Sequence, residues 1–158
     1  MKTNKNKGIS IIEILIVISI IGILAAVIIP SLSKFRNEQA LRNTTADIVS
    51  LLNKARNNTI SSLSSSNYSV HFETTRFVYF TGSVFNNGAG TNSAFTLSTS
   101  VTIPASGGIS LNGGGADVIF TRLTGETANY GTIIVRLASD DTKQKTITIS
   151  KTGSVSSN

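Results

Sequence analysis

The chain has 158 residues, no cysteine and a formal charge of +6. That length allows one modest domain beyond any membrane segment, and the lack of cysteine excludes disulfide staples and thiol chemistry. The positive balance does not point to nucleic acid, because Lys2, Lys5 and Lys7 supply three of the charges and removing them leaves +3.

Those lysines form a short leader that ends at Gly8. From Ile9 to Ile29 there follow 21 residues with a single charge, Glu13. As a helix rising 1.5 Å per residue this run spans roughly 31 Å, about one bilayer hydrocarbon core. Lysines just before such a run read as a cytoplasmic anchor. A removable secretory signal has a shorter apolar stretch and a small-residue cleavage site, whereas Ala25-Ala26 lead into Val27-Ile28-Ile29. A plain membrane anchor fits the length but leaves Glu13 unexplained. A carboxylate near the start of a span costs on the order of 3 kcal/mol, less where it reaches the interface. It needs a partner.

Residues 7 to 30, Lys-Gly-Ile-Ser-Ile-Ile-Glu-Ile-Leu through Pro30, resemble the class III signal of type IV prepilins and type II secretion pseudopilins. The resemblance implies that prepilin peptidase, a membrane-embedded aspartyl enzyme, cuts between Gly8 and Ile9 and methylates the new amine of Ile9. It places Glu13 at the family's acidic position, Gly22 at its mid-span glycine and Pro30 at its helix-breaking proline. Ile9 departs from the commonest residue, phenylalanine, but stays apolar. Cleavage would put a cationic amine four residues before Glu13, about 6 Å along a helix axis. In a bundle of such helices Glu13 then meets the amine of a neighbouring subunit. Two charges about 4 Å apart at an effective dielectric near 20 attract by roughly 4 kcal/mol, enough to rival the insertion cost. Such a pair also sets axial register. Gly8, lacking Cβ, lets a protease approach the backbone closely. Pro30 lacks an N–H and crowds the carbonyl of Ala26, so a kink or local opening is expected there.

Beyond Pro30 the pattern stays helical and turns amphipathic. Leu41, Ile48, Leu52 and Ala55 share one face, with Lys34, Arg36, Glu38, Arg42, Asp47, Lys54 and Arg56 on the other sides. One long helix is predicted from about Ser10 to near Ser61, its stripe packing on the C-terminal domain and Phe35 facing other subunits. Residues 61–67 are a polar break. Alternation then takes over, with Tyr68–Phe72 and Arg76–Phe80 bracketing Glu73-Thr74-Thr75 as a hairpin. Further strand-like runs are Phe95–Leu97, Val101–Ile103, Val118–Thr121, Thr132–Leu137 and Thr146–Ile149. The fold expected is α+β and pilin-like: a long N-terminal helix, then an antiparallel sheet or sandwich of about six to eight strands. Its divisions are a leader at 1–8, a transmembrane and filament-core helix at 9–30, an amphipathic continuation at 31–62 and a β-rich domain at 67–158.

The β-rich half narrows the resemblance to the branch of pseudopilin H and fimbrial minor pilin T. The match lies in Leu51-Leu52-Asn53-Lys54-Ala55-Arg56, the Val118-Ile119-Phe120 strand, and Thr146 through Gly153. Some DNA-uptake relatives carry arginines after that glycine, whereas Gly153-Ser154-Val155-Ser156 has neither Arg nor Lys.

No catalytic constellation is expected. His71, the single histidine, lies mid-strand between Val70 and Phe72, where a satisfied structural histidine is the ordinary case. A metal site wants clustered His, Cys or acids, and the adjacent pair Asp140-Asp141 reads as a hairpin tip with Thr142-Lys143. Gly113-Gly114-Gly115 lacks the Lys-Ser/Thr of a phosphate loop. Arg76, Arg122, Arg136, Lys143, Lys145 and Lys151 are dispersed, while Phe77, Tyr79 and Phe80 read as core rather than a base-stacking platform.

The reading is thus a non-enzymatic filament subunit, a minor pilin or pseudopilin, needing no cofactor or metal. Its partners are prepilin peptidase, other pilin or pseudopilin subunits, an inner-membrane assembly platform and membrane lipid. It crosses the inner membrane once before joining a pilus or pseudopilus with its β domain outside. The alternatives are a filament-displayed module binding DNA or another ligand, and a bitopic protein that never polymerises.

Overall fold

A computed structural model describes residues 8–158, apart from the side chains of residues 27–30. The leader, residues 1–7, lies outside the described residues, as does the side chain of Pro30. The first element is α1, Ile11–Ile60, within a residue of the expected limits at both ends. It runs through position 30, so the expected break does not end the helix. A proline removes one backbone donor and crowds one carbonyl, and the bonds on either side suffice to carry a helix past it.

The chain divides into two compact units, one up to Arg36 and one from Asn37 onward. In the first, the Ser10 carbonyl accepts from the amides of Glu13 at 3.1 Å and Ile14 at 3.3 Å, starting the helix. The large apolar side chains from Ile11 to Leu24 are all exposed. A helix apolar on every side must be covered by something other than water. This one is long and apolar enough to cross a membrane. Ser19 fits that setting, since its hydroxyl donates to the Leu15 carbonyl at 2.7 Å and leaves no donor facing lipid.

In the second unit the amphipathic stripe meets the β domain as its spacing predicts. Leu41, Ile48, Leu52 and Ala55 are all buried, joined by Leu51. Each fully buried Ile or Leu contributes about 1.5–3 kcal/mol, which anchors this half of α1 without help from helix propensity. Thr59 closes the helix: its hydroxyl donates to the Ala55 carbonyl and accepts from the Tyr68 amide, both at 2.8 Å. Ser62 then turns left-handed, with φ 50°, into a 3-10 turn at Leu63–Ser65.

Nine strands follow among the described residues, in two antiparallel sheets. The first has the order β3-β2-β1-β6, from β1 (Tyr68–Phe72), β2 (Arg76–Thr81), β3 (Ser93–Thr96) and β6 (Asp117–Ile119). The expected β1–β2 hairpin forms, with Phe72 opposite Phe77. The second sheet has the order β4-β7-β8-β9, with β5 also on β7. Its strands are β4 (Val101–Thr102), β5 (Ile109–Leu111), β7 (Gly131–Leu137), β8 (Asp140–Ile149) and β9 (Val155–Ser157). Both sheets and α1 share one core, in which Val70, Phe72, Phe120, Ile133 and Ile147 are almost wholly buried. The outer face of the first sheet carries Phe80 and His71, and Phe85 of the following loop packs on both rings.

Several expectations shift. The strand placed at Phe95–Leu97 is Ser93–Thr96, with Leu97 just past its end, where its amide still donates in register to the Thr75 carbonyl at 2.9 Å. Asp140-Asp141 is not a hairpin tip. The turn is Ala138-Ser139, and the register slips at Arg136/Leu137 so that Asp140 opens β8 opposite Leu137.

Candidate functional site

The first residues of the described chain place the candidate site on one side of α1. Gly8 has nothing within 4 Å of where a Cβ would stand, and Ile9, 73% exposed, precedes the helix. Ile9, Glu13, Ile14 and Val17 line a shallow groove of about 240 Å³. Positions 9, 13 and 17 are four apart and so stack on one face. Glu13 is therefore a carboxylate set in an apolar stripe, and it has no ion-pair partner among the described residues. Its first-turn position lets the helix dipole favour its charge, by about 0.3–1 kcal/mol at an exposed site. That is too little to offset insertion into lipid, so any full compensation comes from another molecule.

Residues 3–29 match the prokaryotic N-terminal methylation motif. The match supports the type IV pilin and pseudopilin family, and with it processing by prepilin peptidase and assembly with other pilin subunits. With an exposed apolar helix behind it, the motif suits a membrane-anchored pilin. No curated protein and no solved structure matches the chain.

The methylation motif ends before the β domain, whose candidate chemistry is judged on geometry. His71 Nδ1 lies 2.5 Å from Asp117 Oδ1, and its ring stacks on Phe85 with centroids 3.9 Å apart. The other nitrogen, Nε2, faces Glu73 Oε1 at 3.7 Å. In a hydrolytic triad a nucleophile occupies that second position; here a second carboxylate does. The two acids flank opposite sides of the ring and do not converge, and no cluster suited to a metal occurs among the described residues. His71 is a satisfied strand histidine, as its position between two apolar residues suggests.

Half of the six dispersed cations are neutralised locally. Arg76 reaches Glu73 at 2.7 Å, Arg136 reaches Asp141 at 3.2 Å and Lys143 reaches Glu38 at 3.3 Å. The Arg76 guanidinium, hydrogen-bonded through two nitrogens, holds the Glu73 carboxyl below its ordinary value of 4.5, against a smaller upward push from burial. A lowered folded-state value stabilises the fold above pH 4.5 and loses that contribution as pH falls below it. The stability gap between the native chain and Arg76→Gln is therefore expected to be small, and to close on acidification below that value. Urea unfolding at a series of pH values measures it, and a gap that widens in acid contradicts the assignment.

One constellation went unread in the sequence. Arg56, near the end of α1, donates from Nε to the Gly125 carbonyl at 3.2 Å and from Nη2 to the Thr152 carbonyl at 3.3 Å. It thus ties the loop after β6 and the turn after β8 to the helix. The signal for it was present in the pairing of Ala55-Arg56 with Thr152-Gly153, but nothing in a single chain states that segments 96 residues apart touch.

Proposed function

We propose that the chain is a structural subunit, a minor pilin or pseudopilin, of a type IV pilus or a type II secretion pseudopilus. Prepilin peptidase removes residues 1–8 at Gly8–Ile9 and methylates Ile9. Residues 9–30 then form the membrane span and later the filament core, residues 31–62 continue the helix, and the domain from 67 to 158 is displayed outside the inner membrane. Glu13 meets the methylated amine of a neighbouring subunit, and the helix loosens near Pro30 on passing from bilayer to filament. The observation that carries this reading is a carboxylate, without an ion-pair partner among the described residues, inside the exposed apolar first half of a helix that bears the methylation motif. The β-rich second unit supports the branch of pseudopilin H and minor pilin T, with the Arg56, Thr152 and Gly153 contacts joining the segments on which that likeness rests.

Mass spectrometry of the mature N-terminus is the direct test. The expected product begins at Ile9 and is one methylene heavier than the unmodified peptide. A product that begins at Met1, or beyond Ala26, removes the amine on which the assembly depends.

A further inference from the structure

Four non-glycine residues have a left-handed backbone among the described residues: Ser62, Ser64, Ser65 and Leu123. All four gather at the C-terminal end of α1. Arg122 donates to the Ser62 hydroxyl from Nη2 at 2.6 Å and from Nε at 3.1 Å, and the Leu123 amide donates to the Thr59 carbonyl at 3.4 Å. A left-handed backbone is disfavoured for a branched side chain, and a non-glycine residue held there marks a place to look for function. Leu123 has φ 69° and is nonetheless 70% exposed, so burial does not compensate its conformation. Leu63, beside Ser62, is 49% exposed.

The charge around these leucines is mostly positive. Arg56 holds the Gly125 carbonyl, and the Lys151 carbonyl accepts from Thr127. Arg122 lies in the loop, Arg56 reaches it through the Gly125 carbonyl and the Lys151 backbone borders it at Thr127, and none of the three is ion-paired with a carboxylate among the described residues. Glu126 is the single acid in that loop. We infer that this end of the domain is a docking surface for an acidic, leucine-bearing segment of a partner protein. The cations would take the partner's carboxylates, and Leu123 and Leu63 its apolar side chains. Nucleic-acid bases stack on aromatic rings, and leucine offers no such platform, which favours a polypeptide. The inference does not depend on how the N-terminus is processed.

The test uses the full chain in detergent micelles, with a short synthetic peptide of glutamate and leucine as probe. Polyglutamate and a single-stranded oligonucleotide of equal charge serve as comparators, and empty micelles set the baseline. The glutamate–leucine peptide is expected to bind most tightly, with affinity falling as salt rises. Arg122→Gln and Leu123→Gly should each weaken it about tenfold, roughly the 1.4 kcal/mol that one decade represents. Leu123→Gly relieves the backbone, so it should not lower the melting temperature and serves as the variant that stays folded. Peptide binding unchanged in Leu123→Gly overturns the proposal. So does tighter binding of the oligonucleotide that depends on Arg122 and ignores Leu123, which would make the surface one for nucleic acid.

Discussion

Replacing Glu13 by alanine is expected to leave the chain in the membrane while weakening its incorporation into filaments by on the order of 10³-fold. The magnitude follows from the attraction of two charges about 4 Å apart at an effective dielectric near 20, roughly 4 kcal/mol, at 1.4 kcal/mol per decade. Membrane insertion should not suffer, because alanine removes a carboxylate that costs on the order of 3 kcal/mol to place near the start of a span. Glu13→Gln preserves shape and loses the charge, so it should fail like alanine. A variant blocked at Gly8 by a bulky side chain lacks the free amine of Ile9 and should fail for the same reason. Combining Glu13→Ala with that block should then add little, the non-additivity expected of residues that act as a pair. Filament yield set against the membrane-bound fraction measures all of these. Full incorporation of Glu13→Ala would mean that Glu13 has no assembly role and that other contacts hold the filament.

The sequence was most legible where one physical requirement dominated. An apolar run long enough for a bilayer can hardly be anything but a helix, and the stripe of Leu41, Ile48, Leu52 and Ala55 has only one face to bury. The β1–β2 hairpin was readable because Val70, Phe72, Phe77 and Tyr79 alternate cleanly on either side of a polar turn. Legibility failed where tertiary pairing decides. Val155-Ser156-Ser157 has one apolar residue and becomes a strand only because β8 offers its edge. Ile109-Ser110-Leu111 does so beside β7. The left-handed Leu123 is invisible in sequence for a similar reason, since nothing about a leucine announces a positive φ.

The candidate site shows the same division. Gly8, Ile9 and Glu13 were named through the resemblance to the prepilin signal, in which cleavage, amine and acid all fall within a turn or two. The lack of a partner for Glu13 among the described residues needed coordinates. So did the way Arg76, Arg136 and Lys143 each find a carboxylate, which no count of lysines and arginines reveals.

Gly153→Ala is expected to destabilise the β domain by about 3 kcal/mol. Two effects contribute, and a second glycine separates them. Gly153 has φ 78°, where an alanine costs about 1–2 kcal/mol in backbone energy alone. Gly114 has nearly the same conformation, φ 72°, but nothing within 4 Å of a would-be Cβ. Gly114→Ala should therefore lose only that first amount. At Gly153 the new methyl would press on the Gly125 carbonyl oxygen and stand 2.8 Å from Arg56 Nε. Gly125 is itself closely surrounded, since a Cβ there would stand 2.6 Å from the Ile60 side chain. The Arg56 side chain must then move and give up its bonds to Gly125 and Thr152, and a hydrogen bond to a charged group is worth about 1.5–3 kcal/mol. Urea midpoints of the two variants, measured on the full chain in the same detergent, should differ by roughly the value of that clamp. Equal losses at the two positions would mean that Arg56 carries no weight in joining the helix to the strands.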